Sequence, residues 1–578
     1  MATQQVQEKD VAIDSNAAAT APDVSDSESQ KEKDLESHKQ HGVANVEAMT
    51  RVWTKKALWV VIVLLYGVFF AIAFMRNVAF PLEPYVTSAF RKHGLLAIVS
   101  IVSTLAGGVS QLAIAKLFDI WGRPQGFAVA VFLVLMGLIL KAVCQNVQTY
   151  AAGNVFWWVG ATGLSYAVDV FVSDVTSLRN RGLVFGVNST PGLAAIFAGP
   201  AIAQELLQHS SFRWGYGLFC IVIPAITIPV IFAFAHYERK AKKLGVAHEA
   251  GAGRTAFESI KHYVIEFDVM GMLLTIAGFS LILLPFSLAS GASHKWANPS
   301  IIAMIVVGVL CLVSFVIWEK WFAPVQYLPF RYLKDRTILG VCICRFALYI
   351  TIRTWDIYMS SYLQVVQQVN VRNAGYIMDT YSLTAFVVMP ITGLALRYMK
   401  QPKYLGIAAI PLIALGTGLL VKFRVPGQSS GLIAMCQVFN GAAGGILDIL
   451  NPIMVMASVS HQEVAVVLAL TSMFTSIGSS VGSAISGALW TNLLPKKLEF
   501  YLPDEFKNET MTIYGDLKVQ LSYPYGSPVR EAIVHAYGDV MRLMVIAGAA
   551  FVPLVAASIF VWKNLHVKDM KQTKGTVF

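Results

Sequence analysis

The stretch ALWVVIVLLYGVFFAIAFM, Ala57 to Met75, contains neither a charged residue nor a proline. A helix rises about 1.5 Å per residue, so a run of this length covers a hydrocarbon core close to 30 Å thick. Outward from it, runs of the same kind recur at 95–115, 126–144, 149–171, 183–204, 215–236, 268–289, 300–318, 337–362, 375–396, 404–422, 431–456, 463–490 and 540–562. Hydrophobic residues make up 56% of the 578 and charged residues 14%. So little polar sequence could not shield so many runs from water, and lipid is the simpler solvent. The expectation is an all-α integral membrane protein of fourteen transmembrane helices, with the lipid bilayer as its first partner.

The net charge of +11 raises the question of nucleic acid. The basic residues lie in short connections, however, and not on a stripe interleaved with aromatics, so no nucleic-acid partner is expected. With a cytoplasmic amino terminus and an even number of spans, Arg51, Lys55, Lys56, Lys116, Arg123, Arg179, Arg181, Arg239 and Lys240 all fall on the inner side. That bias places both termini in the cytoplasm. The first fifty residues are polar, lack the apolar core of a signal peptide and read as a disordered tail. All six cysteines fall within spans, so neither structural disulfides nor a cysteine metal site is expected.

Two polar interruptions organise the rest: a basic segment, Ala235 to Asp268, and a loop, Thr491 to Asp539, that carries Asn508-Glu509-Thr510 as a glycosylation acceptor. The expected division is a tail at 1–55, a six-helix half at 56–236, a linker with two inserted helices at 237–336, a second six-helix half at 337–565 that includes the loop 491–539, and a tail at 566–578. This is a 6+2+6 order. Solute would bind between the halves.

Between the second and third runs lies AKLFDIWGR, Ala115 to Arg123, which resembles the major facilitator loop signature G-x-L-a-D-r-x-G-r with Ala115 replacing the first glycine. Asp119 and Arg123, with Asp174, Arg179 and Arg181 after the fourth run, are candidates for a gating latch. They also satisfy the ordinary basic bias of inner loops. AGPA, Ala198 to Ala201, resembles the Gly-Pro element of facilitator antiporters, but its trailing glycines are replaced. Phe156 stands where drug-proton antiporters carry an arginine.

A narrower resemblance rests on VSDVTSLRNRGL (Val172 to Leu183), FRWGYG (Phe212 to Gly217), EFDVMG (Glu266 to Gly271), SSYLQVVQ (Ser360 to Gln367), ASVSHQEVAVV (Ala457 to Val467) and YPYGSPVREAIVHAYG (Tyr523 to Gly538). On these the chain resembles the fungal siderophore-iron transporters of the major facilitator superfamily, near the filamentous-fungal members that import ferric triacetylfusarinine. The resemblance covers about residues 50 to 565. It implies proton-coupled uptake of intact ferric hydroxamate siderophores by a monomer in the plasma membrane, with cycling through endosomal vesicles. Iron would stay within the substrate, so no protein cofactor or protein metal site is expected and the proton is the coupling ion. Proton-coupled multidrug export is the alternative, weakened by Phe156 and the incomplete Gly-Pro element. No nucleophile motif, phosphate loop or HExxH supports an enzyme.

The residues themselves suggest where a site should lie. In the ninth run Arg345, Tyr349, Arg353 and Asp356 project within an arc of about 80° at 100° per residue. An arginine at that depth costs about 2.5–3.5 kcal/mol unless it meets water or a partner. Arg353 and Asp356 could equally form a structural pair. Asn154, Trp158, Ser165 and Asp169 share an arc of about 80° in the fourth run. Asp169, Asp379 and Asp448 are candidates for carrying the proton. Tyr66, Phe70, Trp158, Tyr349 and Tyr376 are candidates for an aromatic substrate pocket, or anchors at the membrane interface. In the last loop Tyr523, Tyr525 and Tyr537 suggest either a lid over the cavity or a folded cap, and Val529 to Tyr537 a helix that leads into the final run.

Overall fold

Each apolar run forms a helix in the computed structural model, which describes residues 55–243, 256–326, 328, 330–399, 401–460 and 463–565 except Ser177. Of the expected tails at 1–55 and 566–578, residues 1–54 and the whole of the second lie outside the described residues, as do part of the linker and His461, whereas Lys55 already belongs to a helix. Fourteen helices among the described residues are long and apolar enough to span a membrane. They are α1 (Trp59–Ala89), α2 (His93–Phe118), α3 (Arg123–Val143), α4 (Val147–Ser173), α5 (Asn180–His209), α6 (Phe212–Lys240), α7 (Val269–Gly291), α8 (Pro299–Phe322), α9 (Arg336–Val365), α10 (Val371–Tyr398), α11 (Lys403–Phe423), α12 (Ser430–Met456), α13 (Val464–Tyr501) and α14 (Pro528–Val561).

Short polar side chains set several helix starts by accepting from the first free backbone N–H groups. Asn146 accepts from Thr149 N at 2.7 Å ahead of α4, Asp335 from Thr337 N at 2.8 Å ahead of α9, and Asn370 from Asn373 N at 2.8 Å ahead of α10. Asp268, in the left-handed region at φ 44, accepts from Gly271 N at 3.1 Å and from the Trp318 indole at 2.7 Å, which joins α7 to α8.

Two boundaries differ from the sequence expectation, both because helix continues past the apolar window. α1 does not stop at Met75 but runs on through Arg76, Pro81, Glu83 and Pro84. α13 continues to Tyr501 and α14 begins at Pro528, so the expected loop 491–539 shrinks to residues 502–527. Much of that segment is folded, as Asp504–Glu509, Thr510–Gly515 and Leu517–Ser522.

The spans up to α6 and those from α9 onward meet along two seams, α2 with α13 and α5 with α10. Small residues permit both. In the first, the Thr104 and Ser480 hydroxyls lie 2.7 Å apart, and those of Ser100 and Ser483 3.2 Å apart. In the second, a Cβ on Gly186 would come within 2.7 Å of Pro390, and one on Gly393 within 2.4 Å of the Gly182 carbonyl. α7 and α8 pack on each other, and α7 lies against α2 and α13. Only 17% of the most apolar window of α8 is buried against 78% for α2, so α8 faces lipid while α2 is interior.

Candidate functional site

Seven-residue spacing on α1 places Arg76 and Glu83 on one face, about 20° apart at 100° per residue. That face, with Ile72 and Phe80, borders a central cavity of about 350 Å³. α4 contributes Tyr150, Asn154 and Trp158, α9 contributes Tyr349, Arg353 and Asp356, α10 contributes Asp379 and Ser382, and α12 contributes Gln437 and Asp448. A second cavity of about 180 Å³ shares Arg76, Trp158 and Ser165 with the first and reaches Asp169, Arg345, Pro452 and Thr471. It lies toward the near end of the bundle, where α1 begins.

The charges in this region are arranged in pairs, with exceptions. Arg345 is ion-paired with Asp448 and donates to Thr475 Oγ1 at 3.1 Å. Arg353 pairs with Asp356 at 3.0 Å and donates to Ser100 Oγ at 3.1 Å, which joins α9 to α2. Lys141 on α3 is buried behind the cavity wall, donating to Asn154 Oδ1 at 2.8 Å among the rings of Tyr150, Trp157 and Tyr216 at 5.2, 4.8 and 4.5 Å. Asn154 in turn donates to Ser103 at 3.0 Å. The carboxyl groups of Glu83, Asp169 and Asp379 line the cavities without a hydrogen bond or ion pair among the described residues.

The far end of the bundle is closed over the cavity. His93, fully buried, sits 3.1 Å from Ser361 Oγ and 3.4 Å from Ser88 Oγ. The rings of Tyr358 and Trp490 stack at 3.9 Å, and Tyr358 donates to Gly94 O at 3.2 Å. Tyr85 is hydrogen-bonded to Gln364. The 502–527 segment joins this layer, since Leu517 N donates to Ser88 Oγ at 3.2 Å, and Arg530 at the start of α14 donates both to Gln520 O of the segment and to Val365 O at 2.9 Å. At the near end, buried Arg181 donates to Ser173 O at 2.8 Å and Thr176 O at 3.2 Å and approaches Met456 Sδ at 3.4 Å, so it bridges α4 and α12. Glu463, between α12 and α13, accepts from Ser460 Oγ at 2.7 Å and Tyr332 OH at 2.9 Å and pairs with Arg331 at 3.0 Å. Burial pushes its carboxyl up, but these bonds and the Arg331 charge outweigh that and hold it below its ordinary value.

The structure brings together Trp158, Tyr349, Arg353, Asp356, Asp379 and Asp448 at the first cavity and Asp169 and Arg345 at the second. Three expected pocket residues line neither. Tyr66 turns to α5, its hydroxyl 2.8 Å from Thr190 Oγ1; Phe70 stacks on Phe74 at 5.6 Å; Tyr376 donates to Phe197 O at 3.1 Å between α10 and α5. Of the suggested latch, Arg123 is buried at the start of α3, whereas the side chains of Asp119, Asp174 and Arg179 lie outside the described residues. Tyr537 belongs to α14, not to a loop: it is fully buried, edge-on to Trp490 and hydrogen-bonded to Gln520. Tyr523 donates to Glu509 at 3.1 Å, Tyr525 is exposed, and Asn508 is exposed on the same segment. The sequence reading missed Arg76, Glu83 and Lys141. The signal was present for the first two, as charges seven apart directly after the first apolar run, and for Lys141 as a lone cation inside an apolar run.

Fourteen apolar helices around a central cavity that mixes aromatic and charged side chains define a multi-pass membrane transporter of the major facilitator fold. The description Major Facilitator Superfamily matches residues 64–352. The fold is shared with a bacterial homolog of the human lysosomal transporter Spinster, inward-facing and occupied, at a TM-score of 0.51 and 13% identity over 88% of this chain and 97% of that one. Among curated proteins, MFS siderochrome iron transporter 1 of Ajellomyces capsulatus is 43% identical over 98% of this chain and 96% of its own length. Siderophore iron transporter mirB of Emericella nidulans is 38% identical over 94% and 90%, and siderophore iron transporter 1 of Schizosaccharomyces pombe 36% over 92% and 87%. The chain belongs to this siderophore-iron transporter family of the Major Facilitator Superfamily.

Proposed function

We propose that the chain carries intact ferric siderophores of the hydroxamate type into the cell by proton symport, as a monomer in the plasma membrane with both termini cytoplasmic. The observation that carries the reading is the central cavity, whose aromatic wall suits a bulky organic complex and whose acids Glu83 and Asp379, like Asp169 in the adjoining cavity, have no hydrogen-bond or ion-pair partner among the described residues. The names of relatives that match almost end to end support the cargo. Iron travels within its chelator, so it is substrate and not a resident cofactor.

A ferric trihydroxamate is commonly uncharged, so the membrane potential exerts no pull on it. One proton crossing 100 mV supplies about 2.3 kcal/mol, enough for about 50-fold accumulation before any pH gradient is counted. In this reading the far end faces outside. The two six-helix groups alternate by rocking on the α2/α13 and α5/α10 seams, and the layer around His93, Tyr358 and Trp490 parts to admit substrate. The 502–527 segment is tied into that layer through Ser88, which supports its moving with the gate.

The test is uptake of radio-iron complexes of several siderophores in cells that lack their own carriers. Saturable uptake of at least one ferric trihydroxamate is expected. No uptake of any complex, with resistance to toxic drugs instead, would contradict the reading and favour export.

A further inference from the structure

Of the three guanidinium groups that border the cavities, two are satisfied by acids: Arg345 by Asp448 and Arg353 by Asp356. Arg76 is different. It borders both cavities, is exposed to them, and makes no hydrogen bond or ion pair among the described residues. Its ring contact is with Trp158, whose centroid lies 5.4 Å from the guanidinium carbon. An arginine at that depth costs about 2.5–3.5 kcal/mol if uncompensated. A guanidinium held over an aromatic face is fixed in orientation while its N–H groups stay available.

We propose that Arg76, oriented by Trp158, donates hydrogen bonds to the iron-bound oxygens of the substrate and so determines which siderophores the cavity accepts. This rests on the reading of the chain as a ferric siderophore carrier. Hydroxamate oxygens bound to iron offer several acceptors on one face of an uncharged complex. The planar fork of Arg76 can engage two of them without forming an ion pair that would hinder release. The other charges at the first cavity sharpen the choice. With Asp448 matched by Arg345, Glu83, Asp356 and Asp379 face it against Arg76 and Arg353, an acidic excess that disfavours a trianionic tris-catecholate complex. The recognised class is therefore an uncharged trihydroxamate, read by one arginine.

The experiment compares surface-normalised uptake of ferrichrome, an uncharged trihydroxamate, and of ferric enterobactin, a trianionic tris-catecholate, by the wild type and by Arg76→Gln, Arg76→Lys and Trp158→Ala. Wild type should take up ferrichrome and exclude the catecholate. Arg76→Gln should raise the half-saturation concentration for ferrichrome about tenfold with the maximal rate within about twofold, which corresponds to about 1.4 kcal/mol of binding. Arg76→Lys keeps the charge and should still raise it several-fold, because a point charge cannot present the fork; Trp158→Ala should shift it in the same direction. Half-saturation within about twofold of wild type in Arg76→Lys, or in Arg76→Gln at normal surface level, would overturn the inference. Failure of the wild type to take up ferrichrome or any other ferric complex would instead defeat the reading of the cargo.

Discussion

The environments of Arg345 and Arg76 show how residue identity and residue role part company. From sequence both are intramembrane cations, and Arg345 reads as one of a stripe facing water. The structure gives Arg345 an acid, Asp448, with only 18% and 22% of the two side chains exposed. Removing one partner of such a pair leaves the other charge uncompensated, typically at a cost of about 3–5 kcal/mol. Arg345→Ala is therefore expected to lower the amount and thermal stability of protein at the surface, and Arg345→Gln with Asp448→Asn to recover most of both; a single mutant as stable as wild type in a melting assay would contradict this. The stripe Arg345, Tyr349, Arg353, Asp356 was legible because helical periodicity is a property of one segment. Which stripe residue meets which acid was not, because Asp448 lies on a helix far along the chain. Lys141 is the sharper case: its amide partner and three-ring surround come from α4 and α6, and nothing in α3 names them.

At the scale of helices, span number was legible and span ends were not, since an apolar window ends where charge begins whereas a helix ends where its hydrogen bonding does. α1 continues for fourteen residues beyond Met75, which is how Arg76 and Glu83 come to face the cavity. α13 and α14 likewise absorb both ends of the expected loop and bury Tyr537. The far-end layer is an arrangement of elements, held by the Tyr358 and Trp490 rings with an interplanar angle of 2°. Trp490→Ala should open it: a cysteine at Ser361, in a background whose native cysteines are replaced by serine, should react faster with an impermeant maleimide added outside, and an unchanged rate would count against this layer as the gate. At the near end Asp335 caps α9 and is ion-paired with Lys563 just past α14. Burial pushes its carboxyl up, but the Lys563 bond and the N–H groups of Thr337 and Ile338 outweigh this and hold it below its ordinary value. A depressed carboxyl stabilises the fold above its unfolded-state pKa and loses that contribution as pH falls through the folded one. Asp335→Asn should thus melt below wild type near neutral pH, with the difference fading below about pH 4; a pH-independent difference would show that the cap alone matters.

For the whole molecule, composition and the fourteen apolar runs were enough to set the class, because hydrophobic thickness is a physical constraint that any bilayer imposes. The central cavity was only partly legible. It is assembled from faces of α1, α4, α9, α10 and α12, and their mutual rotation is fixed by glycine contacts such as Gly478 against the Phe346 carbonyl and Gly441 against that of Tyr381. The proposed coupling rests on unpaired acids lining the two adjoining cavities in which substrate would bind, so that proton and cargo occupancy would be linked. The most direct test places purified protein in liposomes and imposes a pH gradient, acid on the side of the far end, with radio-iron ferrichrome outside. The account predicts accumulation above the external concentration that collapses when a protonophore is added; equilibration without accumulation, or accumulation that the protonophore leaves intact, would contradict it.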